Sequence, residues 1–448
     1  MNGTLEHDAI LAFLSRTVDA DRAAMERPEE TIDAFAALDL APGAPVLIAM
    51  PNGRALLSTF FAVLLAGAVP VPMPPASGAA RITAIAERLG AAGLIAPRIE
   101  PRRYLATRTH PLGVAEAVLF PGNPVRYRRG DVVLMTSGTA GIASGCLHGI
   151  DALLRNASRH ADAIRQREDD TILVSLPLHY SYALVAQALA ALVRGSRLVV
   201  SGPPFTPRAY ANTVWTHEVT VSSLTPSTAT RLVEDPPDLP ASLRVLTVGG
   251  DTLEPRHVKA LLADRELYLT YGLTEAGPRV ATLAAHIEPE HRWSSVGVPL
   301  PGVKTRLRDG EELLVESDTV LRRRLPEGSP DPLTSTGAVA TGDRFEIDDD
   351  GYHYFRGRLS DSVVVGGEKV WLPSVRRIAA GVPGVRHCAT TVYRDDSDEL
   401  RYDLEVAVDD PGPRQAAEIQ RALNRLLLRS ERPHRITVRP AMDGVWHK

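Results

Sequence analysis

Asp131-Val132-Val133-Leu134-Met135-Thr136-Ser137-Gly138-Thr139-Ala140-Gly141 is an apolar run that breaks into hydroxyls and glycines. A short uncharged stretch bounded by turn-forming residues reads as a buried strand. The glycines let the backbone turn sharply, and Thr136, Ser137 and Thr139 add hydroxyl donors. With helical spacing over residues 152–165, residues 136–145 read as a turn between a strand and a helix. Such a turn can aim backbone N–H groups at an anion. Alone, the same residues would make an ordinary Ser/Gly turn. No Gly-Lys-Ser/Thr closes it, so it is not a Walker A loop.

The same alternation extends outward on both sides. Residues 45–50 read as a strand ended by Pro51-Asn52-Gly53, residues 56–66 as a helix, and Val69-Pro70-Val71-Pro72 as the next extended piece. Downstream, 171–176 and 197–200 read as strands around a helix at 183–193. Strands alternating with helices predict an α/β fold whose parallel sheets are covered on both faces. After residue 300 the texture changes. Segments 305–307 and 312–316 read as antiparallel strands, and 323–338, rich in Pro, Gly, Ser and Asp, as a loop. From Gly357 onward, strands at 363–365 and 400–408 and a helix at 414–428 predict a small α+β unit.

A chain of 448 residues exceeds one ordinary core, which predicts two or three compact units. Its 44% hydrophobic and 23% charged residues are those of a globular protein, and a net charge of -4 makes no case for nucleic acid or a membrane surface. Cys146 and Cys388 supply neither a disulfide framework nor metal-ligand spacing, which fits a reducing cytoplasm. The first eight residues lack a basic segment followed by an apolar core, so no signal peptide is expected. The longest apolar run, 60–73, is broken by Gly67, Pro70 and Pro72 and is too short to span a bilayer.

Three further stretches carry chemistry. Leu246-Thr247-Val248-Gly249-Gly250-Asp251 is a strand opening into a turn where glycines admit a flat ligand. Tyr271-Gly272-Leu273-Thr274-Glu275 sets an aromatic ring beside a hydroxyl and a carboxylate, and hard cations favour such a carboxylate together with phosphate oxygens. Thr341-Gly342-Asp343 offers a carboxylate that can accept two hydrogen bonds from a ribose diol, and the fork of Arg358 suits paired oxygens. Each would be structural if it stood alone. Together they are the inventory for the phosphates, base, metal and ribose of ATP. No Gly-x-Ser-x-Gly elbow points to a serine hydrolase.

In order and spacing these stretches resemble the adenylate-forming superfamily of acyl-CoA synthetases, peptide-synthetase adenylation domains and luciferases. The resemblance covers residues 45–448, including Ala66-Gly67-Ala68-Val69-Pro70-Val71-Pro72. It implies a large N-terminal domain of stacked, helix-flanked β-sheets, residues 1–356, and a small mobile α+β C-terminal domain, residues 357–448. Against the family's phosphate loop, T-S-G-T-T-G-x-P-K-G, Ala140 replaces a threonine, Ala143 the proline and Ser144 the lysine. That lysine gives positive charge to the β/γ-phosphates; the backbone donors of Gly138 and Gly141 remain.

The resemblance further implies that Gly249, Gly250 and Asp251 contact adenine and that Tyr271, beside Gly272, stacks on it. Thr274 then meets a phosphate, Glu275 holds Mg2+, and Asp343 and Arg358 bind ribose and α-phosphate. Ser360 is the hinge, where relatives carry Asp or Lys, and Gly366-Gly367-Glu368-Lys369 resembles the loop that approaches an acceptor thiol. Pro177-Leu178-His179-Tyr180 is similar to the family's P-L-x-H segment and puts His179 at the edge of the acid pocket. No carboxylate follows it where amino-acid-activating relatives keep one, so an aryl or acyl acid is expected over an α-amino acid. The catalytic lysine near the C-terminus is Lys448 when counted from the strand at 436–438; aligned on Gly444, its place falls to Val445.

The implied reaction is attack of a small-molecule carboxylic acid on Mg-ATP, giving an acyl-adenylate and pyrophosphate. Rotation about Ser360 follows, and the acyl group passes to the thiol of CoA or of the phosphopantetheine on an acyl or peptidyl carrier protein. Two alternatives stay open: an amide-forming ligase of the same fold, and a nucleotide- or acyl-binding member without adenylation activity.

Overall fold

The computed structural model describes residues 6–21, 27–122, 124–136, 144–202, 204–262, 265–359, 362–365, 368–395, 400–409, 412–427 and 431–441. The chain divides into two compact units, one of Met1–Thr341 with Glu346–Phe355, the other of Gly342–Phe345 with Arg356–Lys448. The division runs through the strands Val339–Ile347 and His353–Arg358.

The larger unit is built on an eight-stranded sheet. Its order is Thr17–Asp19, Arg197–Val200, Thr171–Val174, Val221–Leu224, Val245–Gly249, Glu266–Gly272, Arg279–Ala284 and Val298–Pro299. The first six strands run parallel and the last two are antiparallel additions. Strand residues alternate between faces, and the apolar clusters follow that alternation. Ile172, Val174, Leu198 and Val200 join one cluster, while Leu173 and Val199 join the other. Because both faces are buried, these strands are mostly apolar, with the buried Ser222, Ser223 and Thr247 among the exceptions. Helix Ile150–Ala163 and the helical stretch from Ser181 to Arg194 cover the first face. Helices Pro207–Thr216, Pro226–Glu234 and Pro255–Leu262 cover the second. Each of these last three starts with proline, whose missing N–H is not needed in a first turn; Thr206 and Thr225 cap the first two.

A second, five-stranded sheet is ordered Val69–Pro72, Pro45–Ile48, Gly93–Ala96, Ala115–Leu119 and His110–Leu112. Its first three strands are parallel and the remainder antiparallel. The α/β class and the stacked, helix-flanked sheets agree with the sequence expectation.

Two local expectations are corrected. The strand Asp131–Thr136 does not lead directly into a helix, because its partner Ser144–Gly149 returns antiparallel beside it and the helix starts only at Ile150. The described residues on either side of the glycine-rich segment, Thr136 and Ser144, are therefore strand partners, and no helix starts at Ser144 as the spacing suggested. The expected loop at 323–338 opens with a strand, Arg323–Leu325, which pairs antiparallel with Ser144–Gly149. Segments 305–307 and 312–316 lie as expected in the antiparallel pair Lys304–Arg308 and Glu312–Glu316.

In the smaller unit Ser362–Val365 and Glu368–Trp371 form an antiparallel pair. A three-stranded sheet sets Leu400–Val408 between Val385–Arg394 and Arg435–Pro440. Helices Leu372–Ala380 and Pro413–Leu426 bury Val375, Ile419 and Leu423 against Tyr402, Leu404 and Val406. Among the described residues no helix is long and apolar enough to cross a membrane.

Candidate active site

In the larger unit Tyr271 and Gly272 end the strand Glu266–Gly272, and Thr274 and Glu275 stand in the turn Thr274–Ala276 that follows it. The turn is tight for a steric reason. A Cβ at Gly272 would lie 2.1 Å from the Pro278 carbonyl oxygen, so only glycine lets the strand double back here. Leu273 N–H donates to that same oxygen over 3.0 Å. Tyr271 is buried at the end of the strand. The hydroxyls of Thr274 and Ser181 are hydrogen-bonded at 2.9 Å, so the start of the helical stretch at Ser181 is tied to the turn.

Glu275 forms an ion pair with Arg324. The arginine comes from the strand Arg323–Leu325, where it stands opposite Cys146, and Leu321 N–H donates to the Glu275 carbonyl at 2.8 Å. Cys146 reports the same neighbourhood. Burial pushes its thiol well above the ordinary range, the Glu275 charge adds to that rise, and Arg324 opposes it. At the base of the hairpin, the Thr136 hydroxyl donates to the Ser144 carbonyl at 3.1 Å and lies 2.9 Å from the Ser144 hydroxyl. Ser144 thus closes the hairpin where the resembling motif has a lysine. Ser137, Gly138, Thr139, Ala140, Gly141 and Ala143 lie outside the described residues.

Gly249 ends the strand Val245–Gly249. A Cβ there would sit 2.3 Å from the Thr270 hydroxyl oxygen and 2.8 Å from the Thr270 carbonyl oxygen, so its bare backbone has a packing reason as well as the ligand reason read from sequence. Gly250 follows with φ +97, in the left-handed region that favours glycine. Asp251 is exposed and accepts a hydrogen bond from Thr252 N–H at 2.8 Å.

His179 follows Leu178 as the motif requires, with its ring centroid 4.3 Å from that of Tyr180. Burial lowers its pKa to about 4, so the imidazole is neutral near neutral pH. Tyr182 lies further in. Its hydroxyl is 3.1 Å from that of Thr247, and the Arg279 guanidinium sits 4.0 Å from its ring centroid.

In the smaller unit Arg358 Nε lies 3.2 Å from Asp343 Oδ1, with the carboxylate buried and the guanidinium half exposed. Glu368 begins the strand Glu368–Trp371, paired with Val365. Ser360, Gly366, Gly367 and Lys448 lie outside the described residues.

The sequence reading passed over Ser181, Arg279 and Arg324. Only Arg324 left a signal, since Arg322-Arg323-Arg324 is an unusual run of charge next to two leucines. Ser181 and Arg279 reach their places through contacts with residues far away in the chain.

A family model described as AMP-binding enzyme matches residues 24–320. The long-chain-fatty-acid–CoA ligase FadD13 of Mycobacterium tuberculosis is 29% identical over 396 residues, 81% of this chain and 78% of that protein. A fatty acid–[acyl-carrier-protein] ligase, ScoC, of Streptomyces coeruleorubidus is 29% identical over 288 residues, 59% of this chain and 54% of that protein. In fold, the chain is similar to o-succinylbenzoate CoA synthetase from Bacillus subtilis, solved with its acyl-adenylate intermediate. The TM-score is 0.78 at 19% identity, covering 96% of this chain and 95% of that one.

Proposed function

Because this chain belongs to the AMP-binding enzyme family, we propose that it activates a carboxylic acid with ATP, releases pyrophosphate, and passes the acyl group from the adenylate to the thiol of CoA. The observation that carries this reading is the cluster at Thr274-Glu275, where two hydroxyls, a carboxylate and a guanidinium converge at the end of one strand.

Each group has work suited to its chemistry. Thr274 and Ser181 share one hydrogen bond, which leaves hydroxyl capacity for a phosphate oxygen. Arg324 brings a fixed fork of donors to the hairpin base where Ser144 carries no charge. His179, neutral, donates one hydrogen bond to the acid without attracting a stray anion. Asp343 and Arg358, paired within the smaller unit, are the carboxylate and guanidinium suited to a ribose diol and a phosphate.

Glu275 is chemically fit to hold Mg2+, as a hard oxygen donor next to the phosphate-binding hydroxyl. Among the described residues no group of three His, Cys, Asp or Glu side chains could form a protein cage, and a site completed by phosphate oxygens needs none. When bound, magnesium neutralises phosphate charge. Glu275 would hold it, and Arg324, its ion-pair partner, would be suited to bind phosphate oxygens.

The acid is aryl or acyl, since the segment after His179, Tyr180-Ser181-Tyr182, supplies no carboxylate for an α-ammonium group. A carrier-protein thiol is the same nucleophile as that of CoA, and the relatives include ligases of both kinds. The test is acid-dependent pyrophosphate release from Mg-ATP, with pooled aryl, fatty and amino acids, followed by addition of CoA. Release with aryl or fatty acids and consumption of the adenylate by CoA is the expected result. ATP binding without release from any pool would overturn the reading.

A further inference from the structure

Arg279 is 2% exposed, and among the described residues no carboxylate acts on its guanidinium. Burial lowers its pKa, and the Tyr182 hydroxyl opposes that. Nη1 donates to the Thr270 hydroxyl at 2.7 Å and the Tyr182 ring covers one face, but among the described residues the buried Nε has no hydrogen-bond partner. The position is held firmly. Asn156 clasps the Arg279 backbone from both sides, accepting from its N–H at 2.9 Å and donating to its carbonyl at 2.9 Å. One helical turn beyond Asn156 stands His160, fully buried, both ring nitrogens without partners among the described residues, and near enough for the Arg279 charge to act on it.

A buried cation without a counter-ion is unfavourable unless something supplies the missing charge. Two buried side chains with unused polar atoms thus stand close together, the Arg279 backbone anchored by Asn156. It also adjoins the candidate active site. Ser181 bonds Thr274 while Tyr182, the next residue, lies against Arg279. Successive helical residues diverge by about 100°, so the guanidinium lies to one side of the phosphate-end turn.

We propose that Arg279 and His160 form a subsite for a second anionic group on the substrate, so that the acid activated is a dicarboxylic acid whose remote carboxylate is held by Arg279. This rests on the acid-activating reading above.

The test compares adipate with hexanoate, and terephthalate with p-toluate, as substrates of the intact chain and of the Arg279→Gln and Arg279→Lys variants. Pyrophosphate release is followed alongside calorimetric binding of the same acids, with thermal melts confirming that the variants fold. In at least one pair the wild type is expected to favour the diacid in kcat/KM by about 100-fold, the scale for a buried charge pair. Arg279→Gln should erase that preference while retaining the monoacid, and Arg279→Lys should keep part of it. Preference for the monoacid in both pairs, or equal losses for both members in a folded Arg279→Gln, would overturn the proposal. Diacid binding that depends on Arg279, without pyrophosphate release, would uphold the subsite and defeat only the adenylation reading. Neither binding nor release would defeat both.

Discussion

Glu275 and Arg324, 49 residues apart in sequence, are joined by an ion pair at the end of the strand that carries Tyr271. The carboxylate suited to magnesium is therefore paired with a cation. That cation stands on the strand next to Ser144–Gly149, close to where the lysine of the resembling loop would begin. A guanidinium can exchange a carboxylate for phosphate oxygens with little change in geometry. Arg324→Gln is expected to raise KM for Mg-ATP about tenfold, the equivalent of one charge-assisted hydrogen bond, with Arg324→Lys intermediate. The measurement is initial rate against ATP at saturating magnesium. An unchanged or lower KM would mean that Arg324 only restrains Glu275.

Gly249 makes a different kind of demand. A methyl group there would meet the Thr270 carbonyl oxygen at 2.8 Å as well as its hydroxyl oxygen at 2.3 Å, and backbone cannot swing aside. Gly249→Ala should destabilise the protein by about 1–3 kcal/mol, the range for an overpacked core, read as a lower urea midpoint at unchanged slope. It should also disturb Arg279, whose Nη1 would lie 3.0 Å from the new atom. A stability equal to that of the wild type would show that the strand end is free to shift.

The parts of this molecule legible in sequence are those whose cause is local. The parallel strands declare themselves because a strand covered on both faces is largely apolar, as Ile172-Leu173-Val174 is. The Tyr-Gly-Leu-Thr-Glu turn is legible because its glycine, hydroxyl and carboxylate are adjacent. The strand Arg323–Leu325 was hidden by its three-residue length and two charges, which give no period to detect. With it went the pairing that brings Arg324 to Glu275. The hairpin return at Ser144–Gly149, Ser-Gly-Cys-Leu-His-Gly, contains two glycines and reads more readily as a continued loop. Arg279 was illegible because its environment is assembled from Asn156 and Tyr182, 123 and 97 positions away, and no spacing rule links them.

Three histidines set an acid limit on stability, His179, lowered to about 4, among them. Burial lowers His148 to about 4, with the Thr274 and Thr319 backbone opposing only in part. His160 falls to about 3, again through burial first and then through the Arg279 charge. The ordinary value is 6.5. Below it the unfolded chain binds protons that the native protein refuses, so stability is lost as pH falls, and above it these groups contribute nothing. Each histidine should add a slope of about 1.4 kcal/mol per pH unit below that point. Urea unfolding at pH 7, 6 and 5 should show the midpoint falling, and His148→Gln should remove about a third of the fall. A flat profile across this range would contradict the burial of these rings.

Lys448 carries the remaining catalytic assignment, made from its distance beyond the strand that the structure places at Arg435–Pro440. Adenylation builds charge at the α-phosphate, and a positive group aimed at developing charge is usually the largest single contribution to such a step. Lys448→Ala is therefore expected to slow acid-dependent pyrophosphate release by on the order of 100-fold or more. Transfer of an acyl group from pre-formed acyl-adenylate to CoA should be little affected, because no charge builds at the α-phosphate in the same sense. The two half-reactions can be measured separately on one preparation. Equal losses in both would indicate damage to the smaller unit. An unchanged first half-reaction would remove Lys448 from the mechanism and transfer the question to Arg324, paired with Glu275, and to Arg358, paired with Asp343.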